Sequence, residues 1–134
     1  MRYDVVACHL PLQLVRRTQL REMDREAKKE GYVRSHEEYI TDLNEWHNAL
    51  ISVTLQRGVQ YLIGSACDAD CADIDLFVYD GNDKLLGEES EITDVPVMDF
   101  MPRATGPHYI RVRMASCQSD PEPCSVGILV RSKK

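Results

Sequence analysis

Two hydrophobic rhythms divide the chain. Between Leu12 and Lys29 the apolar positions Leu12, Val15, Leu20, Met23 and Ala27 recur mostly every three or four residues, with Arg16, Arg17, Arg21, Glu22, Arg25, Glu26 and Lys28 between them. An α-helix brings positions at that spacing onto one side, so the segment is predicted to be an amphipathic helix with its apolar side on a core. Gly31 ends it, because a glycine just past the last turn accepts the left-handed conformation that helix ends use. Ser35 followed by Glu38 has capping-box spacing and predicts a short second helix through Tyr39, Leu43 and Trp46. Residues 41–46 read equally well as an extended entry into a sheet.

From Leu50 the period falls to two and β-branched and aromatic residues dominate. The predicted strands are 51–56, 60–64, 74–80, 84–86, 97–100, 108–114 and 125–131, about seven in all. Turn residues separate them: Arg57-Gly58, a cysteine-aspartate loop, Asp80-Gly81-Asn82-Asp83, Thr105-Gly106-Pro107 and Asp120-Pro121-Glu122-Pro123. Strands apolar on one side must bury that side against a second sheet. The pattern therefore predicts a mainly β protein, an antiparallel β-sandwich with an N-terminal α-helix over an edge or an open end. A helical segment over residues 1–49 and a sandwich over 50–134 make up the 134 residues, a length that suits one domain.

Charge changes the picture more than composition does. The net charge of −6 is concentrated: residues 66–100 carry eleven acids and one base, whereas 1–65 carry nine of each and 101–134 carry two acids and six bases. Such a segment repels phosphate, so a nucleic-acid partner is not expected. No apolar run approaches the roughly 20 residues a helix needs to cross a bilayer, so no membrane span is expected either.

The five cysteines carry the information about compartment. Cys67, Cys71, Cys117 and Cys124 form two close pairs, and Cys8 stands apart. Gaps of three and six residues are not the two-residue knuckles of zinc sites, so disulfides are the expectation, with zinc or free buried thiols as alternatives. Four cysteines allow three pairings; Cys67 with Cys71 and Cys117 with Cys124 is the favoured one. Disulfides point to a periplasmic or secreted protein. The first eight residues lack the apolar stretch of a secretory signal, although Val5-Val6-Ala7-Cys8 resembles a lipoprotein cleavage box with Asp4 out of place.

Val53-Thr54-Leu55-Gln56-Arg57-Gly58, Tyr61-Leu62-Ile63, Asp73-Ile74-Asp75-Leu76-Phe77-Val78-Tyr79-Asp80 and Thr105-Gly106-Pro107-His108-Tyr109-Ile110-Arg111-Val112 follow one another in order. The series resembles the bacterial pre-peptidase C-terminal domain over about residues 50–132. That resemblance implies a jelly-roll-like β-sandwich of a kind usually appended to secreted enzymes, and some of its members bind calcium. The insert from Cys67 to Asp75, with Cys117 and Cys124, looks like a cysteine-bearing subgroup of stand-alone envelope proteins. A helical segment stands here where the family carries a protease domain.

Asp68, Asp70, Asp73 and Asp75 fall within eight residues. If Cys71 ties back to Cys67, the loop gathers carboxylates whose repulsion a hard cation relieves, which makes these four the candidate calcium ligands. The alternative is a solvated loop in which Asp73 and Asp75 cap turns or pair with Arg111 and Arg113. Asp80-Gly81-Asn82-Asp83 is a hairpin turn before it is a second ligand set, and Glu88, Glu89, Glu91 and Asp94 form a wet loop. Trp46, Tyr39, Tyr61, Tyr79 and Tyr109 are candidates for a ligand face or for core. No nucleophile elbow, zinc-protease helix or phosphate-cradling glycine loop occurs, and His36, His47, His108 and the Cys8-His9 pair are scattered. The expected function is a non-catalytic extracellular or envelope module with a binding or structural role, a protein or glycan partner, and calcium as its candidate cofactor. Two alternatives stand beside it: a small hydrolase whose Asp and His side chains converge in one cleft, and an adaptor acting through the N-terminal helix.

Overall fold

The computed structural model describes residues 12–134, with side chains from Gln19 onward; Cys8, His9 and the 5–8 box lie outside the described residues. Helix α1 spans Leu12–Lys29 and stops where expected, with Gly31 at φ 92° and its N–H on the Lys28 carbonyl. Nine strands follow: β1 (Tyr32–Arg34), β2 (Tyr39–Leu43), β3 (Asn48–Leu55), β4 (Tyr61–Cys67), β5 (Cys71–Tyr79), β6 (Leu85–Glu89), β7 (Val97–Phe100), β8 (Gly106–Cys117) and β9 (Cys124–Lys133). All pairings are antiparallel. One sheet runs β1-β9-β4-β7, with β2 also on β9, and the other runs β3-β8-β5-β6.

All seven expected strands form, and β1 and β2 are additional. The second helix is a correction. Its sequence, Tyr39-Ile40-Thr41-Asp42-Leu43, pairs residue by residue with Ile128 to Cys124 of β9. Glu38, read as the return arm of a capping box, instead binds Arg131 at 2.6 Å. A β-branched pair beside an open strand edge gains more from the ladder than from one helical turn. The segment 32–43 is therefore part of the sheet rather than of a helical region.

The main core lies between the sheets. Tyr61, Ile63, Cys67, Val126, Ile128 and Val130 face Ile74, Leu76, Val78, Ile110, Val112 and Met114 across it. Strands β4 and β9 are buried on both sides, because the residues alternating with those, Leu62, Ala66 and Leu129, meet Leu20, Ala27 and Tyr32 in a second cluster. Two-sided burial explains why these strands read as nearly unbroken apolar runs.

The helix thus lies across the outer face of the five-stranded sheet, not over an edge or an open end. It comes close because two positions beneath it have no side chain. A Cβ on Gly127 would sit 2.6 Å from Leu20 Cδ1, and one on Gly64 would overlap the Met23 sulfur. Gly127→Val is therefore expected to push Leu20 out of its seat and to cost about 1–3 kcal/mol of overpacking, read as a lower midpoint in urea together with loss of helical circular dichroism.

Candidate functional site

Both disulfides form with the favoured pairing: Cys67–Cys71 and Cys117–Cys124, with Cα separations of 5.9 and 5.8 Å. Cys71 and Cys117 are register partners, so the two bridges sit side by side at one end of the sandwich. The first closes the three-residue turn 68–70, in which the Asp68 carboxylate is buried and takes the N–H of Asp70 at 3.1 Å and of Ser125 at 2.9 Å. Asp68 thereby stitches the cysteine loop to β9.

The other candidate calcium ligands do not join it. Strand β5 begins at Cys71, so Asp73 and Asp75 lie in a strand and not in the loop. Asp73 accepts the Thr93 N–H, and Asp75, buried, takes Nε and Nη2 of Arg113 on one oxygen at 3.1 and 2.7 Å. Asp70 is exposed at the turn. Among the described residues no three His, Cys, Asp or Glu side chains are placed to hold a metal ion. Calcium takes six to eight oxygens around one point, and this donor set does not supply them. Asp80, the second acidic turn, accepts the Lys84 and Asn82 N–H groups, which hold its carboxyl below the usual range.

A groove of about 380 Å³ opens between α1 and the β1–β2 connection, lined by Leu20, Arg21, Asp24, Arg34, Glu38 and Arg131 among others. Its floor is Arg131, whose side chain is only 4% exposed. Nε binds Asp24 at 2.7 Å, Nη2 binds Glu38 at 2.6 Å, and Nη1 donates to the carbonyls of His36 and Val130. Burial pushes the Asp24 carboxyl up, but the hydrogen bond and charge of Arg131, with help from Lys28, outweigh it and hold Asp24 below its ordinary 3.8. Burial likewise works against the Arg131 charge, and Glu38 and Asp24 overcome it, raising the guanidinium further. Within the second cluster, burial and the 2.6 Å bond to Asp99 push the Tyr32 phenol up to about 12. This groove is therefore internally neutralised. His36 takes no part through its ring, which contacts the Thr54 carbonyl and the edge of Tyr61.

The outer face of the four-stranded sheet is different, since no element covers it among the described residues. Register places Asn48 and Leu50 of β3, Tyr109, Arg111 and Arg113 of β8, and Asp75, Phe77 and Tyr79 of β5 on that side. Arg111 lies flat over Phe77, its guanidinium carbon 4.1 Å from the ring centre, with Nε on the Tyr79 hydroxyl at 3.0 Å and Nη1 on Asn48 Oδ1 at 2.9 Å. Of the aromatic candidates, Tyr61 is core, Tyr79 and Tyr109 are half-buried on this face, and Trp46 is 63% exposed. Trp46 holds φ at 69° in the turn closed by the His47 N–H on the Asn44 carbonyl. That is the third position of a turn, where a positive φ calls for glycine.

Sequence reasoning anticipated an arginine partner for Asp75. It missed Arg131 and the strained turn at Trp46, and it gave Arg111 an acidic partner where the structure gives it Phe77, Tyr79 and Asn48. The signal for Arg131 was its place in the outward series Ser125, Gly127, Leu129, Arg131 of a strand buried on both sides.

No protein-family model matches the sequence. No curated protein matches it either. Among solved structures it is similar to the pre-peptidase C-terminal domain of a collagenase from Bacillus anthracis, with a TM-score of 0.56 and 10% identity over 73% of this chain and 90% of that one. A periplasmic inhibitor of g-type lysozyme from Aeromonas hydrophila superposes at a TM-score of 0.49, with 9% identity over 70% and 84% of the two chains. The first likeness shows that the chain has the β-sandwich fold of a pre-peptidase C-terminal domain.

Two consequences are measurable. Asp24→Asn leaves Arg131 with Glu38 as its one carboxylate and is expected to cost about 1–3 kcal/mol, short of the full penalty for an orphaned buried charge. Because the folded Asp24 pKa lies below 3.8, its contribution is complete above that value and is lost as pH falls through the folded one; the wild type should lose stability below pH 3.8 more steeply than the variant. Trp46→Gly relieves the positive φ and is expected to raise stability by about 1 kcal/mol, seen as a higher thermal midpoint.

Proposed function

We propose that this protein is a non-catalytic module of the periplasm or the extracellular space, with a binding role. The observation that carries the reading is the asymmetry of the sandwich. One sheet is covered by its own helix, while the other presents an open face of tyrosine and arginine side chains already ordered by one another. Aromatic and arginine groups on a rigid surface are what recognition faces use. The paired disulfides support an oxidising compartment.

A hydrolase would need an acid or base tuned towards neutrality in an accessible cleft. In the groove, Asp24 is instead driven downwards and the Arg131 charge is balanced by two carboxylates. An adaptor acting through a loosely held helix is disfavoured by the burial of Leu20 and Ala27, which α1 packs against Leu62, Ala66 and Leu129 of the sheet.

The reading is tested by fractionating producing cells and labelling thiols before and after reduction. The expected result is protein outside the cytoplasm, with Cys67, Cys71, Cys117 and Cys124 unlabelled until reduction, and no turnover of ester, peptide, glycoside or phosphoester substrates. Cytoplasmic protein with four reactive thiols, or turnover that Asp24→Asn abolishes, would overturn it.

A further inference from the structure

The open face has one feature that packing alone does not require. Arg111 is held in place by a ring, a hydroxyl and an amide, all of them neutral. Among the described residues it makes no ion pair, in a protein whose net charge is −6. A guanidinium has five N–H donors. Two of them are engaged here, so both Nη2 protons and one on Nη1 have no protein acceptor among the described residues. Of the neighbouring acids, Asp75 belongs to Arg113, and Glu88, in register with Phe77 on the far side of β5, accepts the Ser90 hydroxyl at 2.8 Å and makes no ion pair with Arg111. A planar cation whose orientation is already fixed loses little freedom when a planar anion docks, and guanidinium and carboxylate match in two parallel hydrogen bonds.

What surrounds Arg111 narrows the ligand. Strands β8 and β5 each lie between two neighbours, so their backbone groups are spent in ladders. An extended peptide, which gains its affinity from backbone pairing at a strand edge, finds no such partners on this face. Available instead are the half-buried rings of Tyr79 and Tyr109, which are register partners, the Asn48 amide, and Leu50, which is 60% exposed opposite Arg111. Rings and an aliphatic side chain suit the C–H face of a pyranose, and the amide and phenols suit its hydroxyls. The turn carrying Trp46 abuts the end of this face, its N–H bonded to the carbonyl of Met114, next to Arg113.

We propose that the outer face of the four-stranded sheet binds a carboxylated polysaccharide, a uronate-bearing glycan, with Arg111 receiving the carboxylate and Tyr79, Tyr109 and Leu50 supporting the sugar rings. This rests on the reading of the chain as a binding module and names its ligand class.

Trp46 is the only tryptophan in the chain, so its emission reports on one end of this face. The oxidised full chain is titrated with oligogalacturonate, with a neutral maltooligosaccharide and with oligoglutamate, following emission and, in parallel, the heat of binding, so that a silent indole is not read as no binding. The expected result is saturable binding of oligogalacturonate that weakens as salt rises, with no binding of the neutral sugar and weaker binding of the acidic peptide. Arg111→Gln should weaken it roughly tenfold or more. Leu50→Glu, which sets a negative charge opposite Arg111 at an exposed site, should do the same without touching the Phe77 stack. Absence of saturable heat and emission change, equal affinity in Leu50→Glu, or oligoglutamate binding as tight as the uronate would each overturn the proposal. Failure on these grounds leaves compartment, disulfides and lack of turnover as they were, so the ligand and the module reading fall separately.

Discussion

A guanidinium withdrawn from water has to be surrounded by acceptors, and Arg131 draws them from three separate stretches of chain. Its own strand supplies the Val130 carbonyl, the β1–β2 connection supplies the His36 carbonyl and Glu38, and helix α1 supplies Asp24. Removing a charge from water costs several kcal/mol unless its partners are complete. The position of the helix and the path of the chain from β1 to β2 are therefore fixed by the same group. Lys28 adds an exposed contact to Asp24 at 3.5 Å, which salt and side-chain entropy leave worth little. The buried centre decides where the helix sits, and the surface pairs of α1 decorate it.

From that constraint the two faces of the molecule diverge. Docking a helix on a sheet needs room for side chains, and Gly64, Ala66 and Gly127 provide it by leaving β4 and β9 nearly bare beneath Leu20 and Met23. The opposite sheet has bulky residues at the corresponding outward positions, Phe77, Tyr79, Tyr109, Arg111 and Arg113. It fills its own surface by stacking arginine on phenylalanine instead of receiving a second layer. A cation over an aromatic face is attracted by the ring quadrupole. Phe77 is consequently buried although it points outwards, covered by the guanidinium that lies on it.

Much of this was legible in the residues, and what was not has a common cause. The helix announced itself because one buried side imposes a period of three to four, β3 and β8 because one buried side imposes a period of two, and β4 and β9 as apolar runs buried on both sides. The disulfide pairs were legible because a close cysteine pair closes a short loop with little else to do. The second helix failed at Glu38, where a local capping pattern competed with a buried arginine 93 residues away and lost. The acidic loop failed in a related way. Spacing along the chain set Asp68, Asp70, Asp73 and Asp75 together, whereas β5 starts directly at Cys71 and gives Asp73 and Asp75 partners of their own. Charged residues take their partners from tertiary structure, which a one-dimensional pattern does not contain.

The same reasoning separates the two arginine sites that the sandwich carries. Arg131 is buried and ringed by two carboxylates and two carbonyls, which engage four of its five donors and balance its charge within the fold. Arg111 is half-buried, ordered by neutral groups, and keeps donors facing out. A stabilising role would have favoured a carboxylate at position 48 or 79, as Asp75 serves Arg113 one step along the same face. Neutral partners orient the guanidinium without neutralising it, so the field of the charge remains available to solvent. The strained turn at Trp46 adjoins this face and not the helix side, and its indole is held out where burial cannot repay the strain. Unspent charge and unrelieved strain fall together on the one sheet that the helix leaves open, and neither is explained by what the fold needs for itself.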